Sequence, residues 1–485
     1  LIVIAENSKP SGESISISKV ESLDFDSLRN TVPEISHQIQ QETLRENSWA
    51  LSHPVAPRIV GKMNSRGTKL INTIDDEIYR GVLTGLNECF ILNKKQKREI
   101  ESADGGGGRF IKDLVIGEDI GRFSLEPQDR FLLVVPSGWT SEQSSLEDET
   151  EAWDWFRQRF PGLASYMSEY KSDAKDRYDR GEFWWELRPC DYYEFIESKK
   201  IVYPEISYGP RFALDKNGVY MNNKCFGFSV DVSILAVLNS RLADFWYRNI
   251  LSTLRGGYRE FRRVHVKNFP VLMDEKLKQK VEEIRNKKST LHQINLSLPD
   301  YLGSYSDGQP LTDIGLPQPP RGAADSILQQ TTEQRPNLKI GDVEVERTAD
   351  TSVTIHLTAR YKPEESGTHD DADPETVETD SYDYRETDPI PALKITSLSE
   401  TEADLIEAFV PHAVEEAGGF ANFRENATKT NSLVDRLRSL TLPRVADVEQ
   451  GLDSYRRAKE RADELDAKIQ RTDELIDEIV YDLYD

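Results

Sequence analysis

The sequence predicts an α+β protein: a mixed, strand-rich body flanked by helices, then an acidic C-terminal region with a β-hairpin and a helical bundle. Short apolar runs of strand length, punctuated by Gly, Pro, Asn and Asp, recur between residues 78 and 230. Apolar residues at helical spacing recur over 151–180, 231–247, 274–292 and from Val448 to Leu483. Two alternating runs, LKIGDVEVER and SVTIHLTARY, flank a polar turn within 338–361, the pattern of an antiparallel hairpin. A chain of 485 residues is too long for one ordinary domain. Composition shifts divide it into 1–25, 26–296, a linker at 297–337 rich in Pro, Gly, Ser and Asp, a hairpin and acidic loop at 338–398, and helices at 399–485.

In chain order, LIVIAEN and SISISKV read as two strands joined by the turn-rich SKPSGE, a hairpin over 1–20. A lone hairpin is barely stable in water, so this one is expected to complete a larger sheet and the chain to begin partway through a domain; the alternative is an independent hairpin packed on the downstream residues. Residues 24–46 read as helical and linker-like, and 61–76 as a short helix and loop. IYRGVLTGLNECFIL turns at Gly81 and Gly85 before an apolar strand. The glycine run 105–108 lacks the Lys-Ser/Thr of a phosphate loop and reads as a flexible turn. Strands continue in FIKDLVIGEDIGRF and RFLLVV, and a helical stretch at 151–180 carries Trp153, Phe156 and Phe160. IVYPEIS, RFALD, GVYMNN and CFGFSV are short strands, and DVSILAVLNSRLADFWY is an amphipathic helix with Asp231 and Ser233 as N-caps. Residues 362–388 are dense in acids and nearly free of apolar residues, which predicts a solvated or disordered loop. Helices are expected at 399–417 and 428–440. The last helix carries a near-heptad stripe that suits either a short coiled coil or packing on its own domain.

Composition excludes several classes. The longest apolar runs, LIVIA and FLLVV, are far short of a membrane span, so a soluble cytoplasmic protein is expected. Cys89, Cys190 and Cys225 lie far apart without a CxxC pair, which argues against a disulfide framework or zinc site. The histidines show no metal-ligand spacing, and no GxSxG, HExxH, Walker or GxGxxG frame is present. The net charge of −24 is uneven: residues 321–485 hold 38 acids and 19 bases, against 47 and 42 in residues 1–320. An acidic chain repels polyanions overall, so nucleic-acid contact must come through a local basic patch.

One such patch exists. From Arg248 to Lys267 six Arg and Lys face a single acid, Glu260. Within it Arg255, Arg259, Arg262, Arg263 and Lys267 interleave with Tyr258 and Phe261, and Gly256 and Gly257 permit a tight turn. Arginine forks pair bidentately with phosphate or guanine, so nucleic-acid contact is one reading; a solvated basic face is the other.

The ordered series GVLTGLNECFIL, LVIGEDIGRF, FWWELRPCDYYEFIESKKIVYPEIS, SILAVLNSRLADFWY and LRGGYREFRRVHVKNFPV resembles the TaqI-like specificity domain of adenine-specific DNA methyltransferases, especially type IIG restriction–modification enzymes. The resemblance covers about residues 50–272. LIVIAENSKPSGESISISKV resembles the last strands of the preceding methyltransferase fold, and IDEIVYDLYD the closing helix of large single-chain members. It implies that segment 26–296 is a DNA target-recognition domain and 1–25 the end of an otherwise missing catalytic fold. In such enzymes a methyl group passes from S-adenosylmethionine to the amino nitrogen of a flipped adenine, with magnesium serving cleavage where a nuclease is present. The Asn/Asp-Pro-Pro-Tyr/Phe motif and cofactor pocket lie upstream in that family and do not occur here, so no catalytic residue is assigned, no cofactor is expected on this chain, and it is expected to be inactive alone. Its implied partners are double-stranded DNA and a methyltransferase catalytic half. The resemblance carries DNA contact to Arg255, Gly256, Gly257, Tyr258, Arg259, Arg262, Arg263 and Lys267, and to Tyr208 and Arg211. It also carries it to the turn with Thr84, Gly85 and Asn87, for which a purely structural role stands as the alternative. Phe183, Trp184 and Trp185 are expected in the core. Competing readings are an acidic protein-binding or DNA-mimic module, and an unrecognised nuclease centre in 326–485. Removing 326–485 is expected to relieve charge repulsion toward DNA.

Overall fold

The computed structural model describes residues 14–18, 27–40, 55–74, 77–103, 106–305, 308–318, 339–349, 351–361, 385–416 and 436–485. It is a mixed α+β chain in two units, residues 1–292 with 465–485, and residues 293–464.

In the first unit the predicted strands between 200 and 230 assemble around Lys200–Pro204. It lies between Ala213–Asp215 and Cys225–Phe228, antiparallel to both, and Tyr79–Arg80 pairs on the far side of Cys225–Phe228. This central strand is buried along its whole length, so successive side chains enter two different cores. Ile201 and Tyr203 join Phe212 and Phe228, whereas Val202 joins Ala213, Val219 and Cys225. Lys200 is buried too, and its ammonium donates to the Asp215 carboxylate opposite and to the Ile196 carbonyl. Asp215 also accepts from the N–H groups of Asn217 (2.8 Å) and Val219 (2.9 Å), so the buried pair is hydrogen-bonded on both sides.

A second sheet runs in the order Tyr220–Met221, Ile111–Val115, Arg130–Leu133, Ile91–Asn93, its first pair parallel and the others antiparallel. It shares a core with Trp153, Phe156, Trp184 and Trp185. Phe183, Trp184 and Trp185 are buried, as the sequence led us to expect. Glu186, next in the chain and fully buried, accepts from the N–H groups of Gly138, Thr140 and Phe183. The neighbouring Arg177 guanidinium donates to the carbonyls of Thr84, Trp184 and Glu186, and burial lowers its pKa to about 10.

Two local expectations are corrected. The helix over 231–247 is two helices, Ile234–Asn239 and Arg241–Ile250. Asn239 spends its side-chain amide on a two-way pair with the Phe212 backbone, and Ser240 adopts extended backbone to cap the second helix through the Ala243 N–H. Within 24–46, read as helical, Leu28–Ile35 is helix but Ser36–Gln40 is a strand antiparallel to Ser14–Ser18. SHQIQ has one apolar residue, too few to signal a strand. The expected strand LIVIAEN lies outside the described residues.

The helix Glu275–His292 and the last turns of the long helix Val445–Tyr484 complete the first unit. Ile476, Val480 and Tyr484 are buried in its core, and the Tyr484 hydroxyl donates to the Pro270 carbonyl at 2.5 Å. Residues 326–485 are therefore not a detachable acidic tail: their removal takes three side chains from the core of the first unit.

In the second unit the predicted hairpin is present, Lys339–Ala349 antiparallel to Ser352–Tyr361. Its sheet continues through Ile390–Thr396 to Leu316–Gln318, and Arg385–Glu386 also pairs with Ser352–Tyr361. Val353, Ile355, Leu357 and Ala359 alternate into a core with Ile406, Val410 and Val414 of the helix Glu400–Glu416. Part of the segment expected as a linker joins this core, through Leu298, Leu302, Leu311 and Ile314. The expected helix over 428–440 is described only from residue 436. The heptad stripe faces the chain's own cores, with Val448 and Leu452 in the second unit and Ile476 in the first.

Glu283 bonds Lys280 (2.8 Å) and Lys287 (2.5 Å), and Lys287 also donates to the Thr472 hydroxyl of the closing helix at 2.8 Å. The two ammonium groups hold the Glu283 pKa down at about 2. A depressed carboxyl adds stability above its unfolded pKa that is lost as pH falls toward the folded value. Glu283→Gln should therefore flatten the loss of stability between about pH 5 and pH 2, read from urea melts at each pH. An unchanged pH slope contradicts the assignment.

Candidate nucleic-acid interface

The basic segment is shaped by its apolar residues. Leu251, Phe261, Val266 and Phe269 are buried, and the arginines between them are left at the surface. Phe261 meets the Tyr247 ring edge-on at 4.9 Å, and Phe269 stacks on the same ring at 5.1 Å. Between Leu251 and Phe261 the chain doubles back. The Leu254 N–H donates to the Tyr258 carbonyl (2.7 Å) and the Gly257 N–H to the Leu254 carbonyl (3.2 Å). Gly256 and Gly257 hold φ of 74° and 80°, a left-handed pair that glycine adopts without a Cβ penalty. Arg259–Glu260 then pairs antiparallel with Ile206–Ser207, Arg259 opposite Ser207, and the Phe261 N–H donates to the Glu205 carbonyl (2.7 Å). Tyr258 and Tyr208 meet across the ribbon, their ring centroids 3.9 Å apart.

The predicted residues occupy different situations. Arg255 is exposed, and its guanidinium has no partner among the described residues. Arg259 is half-buried and donates to the Tyr208 carbonyl at 2.7 Å, so it braces the ribbon. Arg262 is exposed and pairs with Glu260 at 2.7 Å, which holds the Glu260 carboxyl below its usual range. Arg263 reaches Glu77 (3.7 Å) and the Ile78 carbonyl (3.3 Å). Lys267 is half-buried, and its carbonyl accepts from the Ile71 N–H. Thr84 is buried, its hydroxyl donating to the Asn87 side chain (2.7 Å) and its carbonyl held by Arg177, so it shapes the turn; Gly85 and Asn87 are exposed.

Tyr208 and Arg211 line a groove of about 250 Å³ together with Arg122, Arg241, Asp244 and Arg248. Arg122 and Arg241 carry no local sequence signal, since the fold brings them to Arg211 from distant segments. Most of these arginines are already paired: Arg248 with Asp244 (2.7 Å), Arg122 with Asp473 (2.8 Å), Arg241 with Asp477 (3.2 Å). Arg211 has no partner among the described residues. Forked donors beside aromatic faces suit phosphate and base contacts. Burial pushes the Cys89 and Cys225 thiols up to about 12, which disfavours the nucleophilic thiolate. Among the described residues no group of three His, Cys, Asp or Glu could hold a metal, and no helix is long and apolar enough to cross a membrane.

The brace and the free arginine separate experimentally. Arg259→Ala should cost about 1 kcal/mol of stability through its lost hydrogen bond. Arg255→Ala should leave thermal unfolding unchanged. Equal effects of the two changes contradict this placement.

No curated protein matches the chain. Among solved structures, one of the type IIL restriction–modification enzyme MmeI in complex with DNA aligns at 15% identity and a TM-score of 0.28, covering 45% of this chain and 27% of that one. The S subunit of a type I restriction–modification system from M. genitalium aligns at 11% identity and a TM-score of 0.20, covering 59% of this chain and 82% of that one. This chain thus spans about a quarter of the MmeI chain. A family match is confined to part of the sequence, beginning well after residue 50, where the sequence resemblance starts. It takes in Arg122, Tyr208, Arg211, the groove helices and all the predicted residues of the basic loop, and leaves out Thr84, Gly85 and Asn87. Residues 112–271 match the family model of the TaqI-like C-terminal specificity domain.

Proposed function

We propose that this chain is the DNA target-recognition part of a restriction–modification enzyme, and that it meets duplex DNA through the 255–267 loop and the adjoining arginine groove. The observation that carries the reading is the specificity-domain match over 112–271, within which the exposed arginines and tyrosines converge. In the finer proposal the system is of type IIG character and methylates the amino nitrogen of adenine in the cytoplasm. S-adenosylmethionine, and magnesium for cleavage, then belong to a catalytic partner. The groove itself does not fit that cofactor: its four arginines repel a sulfonium cation, and its one carboxylate, Asp244, is paired with Arg248.

Selection from a pool of randomised duplexes should enrich one defined motif. Affinity should fall steeply with salt, because each neutralised phosphate releases about one counterion. Arg211→Ala with Arg255→Ala should shallow the slope of log affinity against log salt by about two units. Lys94→Ala with Lys95→Ala, outside the loop, should leave it unchanged. No enriched motif, or equal slopes for both double variants, overturns the reading.

A further inference from the structure

We infer that the Tyr208–Tyr258 pair is a seat for a DNA base displaced from its stack, a role that rests on the DNA-recognition reading above. Tyr208 is 51% exposed and Tyr258 38%, although large aromatic side chains are usually well buried. Strand alternation sets the direction of Tyr208: Ser207, between Ile206 and Tyr208, is buried, so its two neighbours project to solvent. The rings lie 3.9 Å apart at 32° across the ribbon.

The backbone beneath them suits a flat platform. A Cβ on Gly257 would stand 3.5 Å from the Tyr208 ring, and one on Gly256 3.6 Å from the Tyr258 ring. Both rings thus lie close against the turn, whose left-handed backbone glycine adopts without strain. Arg259 fixes the Tyr208 carbonyl, so the seat is formed before any ligand arrives. Unpartnered guanidiniums are close in the fold: Arg255 precedes the glycine pair, and Arg211 shares the groove wall with Tyr208. An intact duplex offers phosphates and groove edges but no free base face. A displaced base offers its π-face to the tyrosines while its flanking phosphates reach the arginines.

The test uses the full chain and two duplexes of equal length. One is fully paired and contains 2-aminopurine; the other carries 2-aminopurine as a single-nucleotide bulge. The bulged duplex should bind roughly fivefold tighter or more, with quenching of its fluorescence. Tyr208→Ala with Tyr258→Ala should abolish the preference and the quenching, the preference being read as the ratio of bulged to paired affinity for the same variant. The corresponding Phe changes should keep both signals. A folded Ala variant, checked by an unchanged melting temperature, that still prefers the bulge overturns the seat, as does loss of the preference in the Phe variant. Salt-dependent binding of the paired duplex by the unaltered chain without bulge preference overturns the seat alone. Failure to bind either duplex at low salt overturns the DNA reading and the seat together.

Discussion

The packing of Phe261 and Phe269 on Tyr247 is the contact on which the interface depends. Tyr247 is fully buried and its hydroxyl has no hydrogen-bond partner among the described residues. Such a group costs on the order of 1–3 kcal/mol, which the surrounding ring contacts and apolar burial must offset. In return the stretch from Phe261 to Phe269 is fastened at both ends, and Arg262 and Arg263 between the fastenings are exposed. Burial of the aromatic rings is what exposes the arginines.

The arginines do not form a bare cationic surface. Arg262, Arg263, Arg248, Arg122 and Arg241 each have a carboxylate within 4 Å. An exposed pair such as Arg263–Glu77 is worth about 0–1 kcal/mol, whereas Asp477 is buried beneath Arg241 and that pair is held more firmly. In the proposed DNA reading, this local pairing is how a chain of net charge −24 could carry a surface for a polyanion. The acids hold the arginines in place, and in the proposed reading Arg211 and Arg255, without partners among the described residues, make the first contact.

Much of this was legible in the sequence because it depends on short-range pattern. The strands from 200 to 228, the hairpin at 339–361 and the helices at 275–292 and 445–484 announce themselves by periodicity. The loop is visible as a run of arginines beside two glycines. What sequence could not show is pairing over distance. Ser36–Gln40 has too little apolar content to signal a strand, and the helix break at Ser240 stems from a bond between Asn239 and Phe212. Arg259 looks like its neighbours in the sequence, yet its place opposite buried Ser207 turns it toward the ribbon. Arg122 enters the groove from a segment far upstream. Thr84 sits in a turn whose role depends on Arg177, itself distant in the chain.

The closing segment at 465–485 gives the first unit a discontinuous sequence, with residues 293–464 intervening. Synthesis is vectorial, so when the basic loop leaves the ribosome the side chains that finish its core have not yet been made. Ile476 and Val480 come late, and the Tyr484 hydroxyl is made 214 residues after the Pro270 carbonyl it meets. Contacts of such sequence separation form slowly, because the loop-closure entropy must be met before they reward it. The nascent chain therefore carries its arginines and tyrosines on an unfinished support, and the core beneath them is complete only once residues 465–485 have emerged and docked.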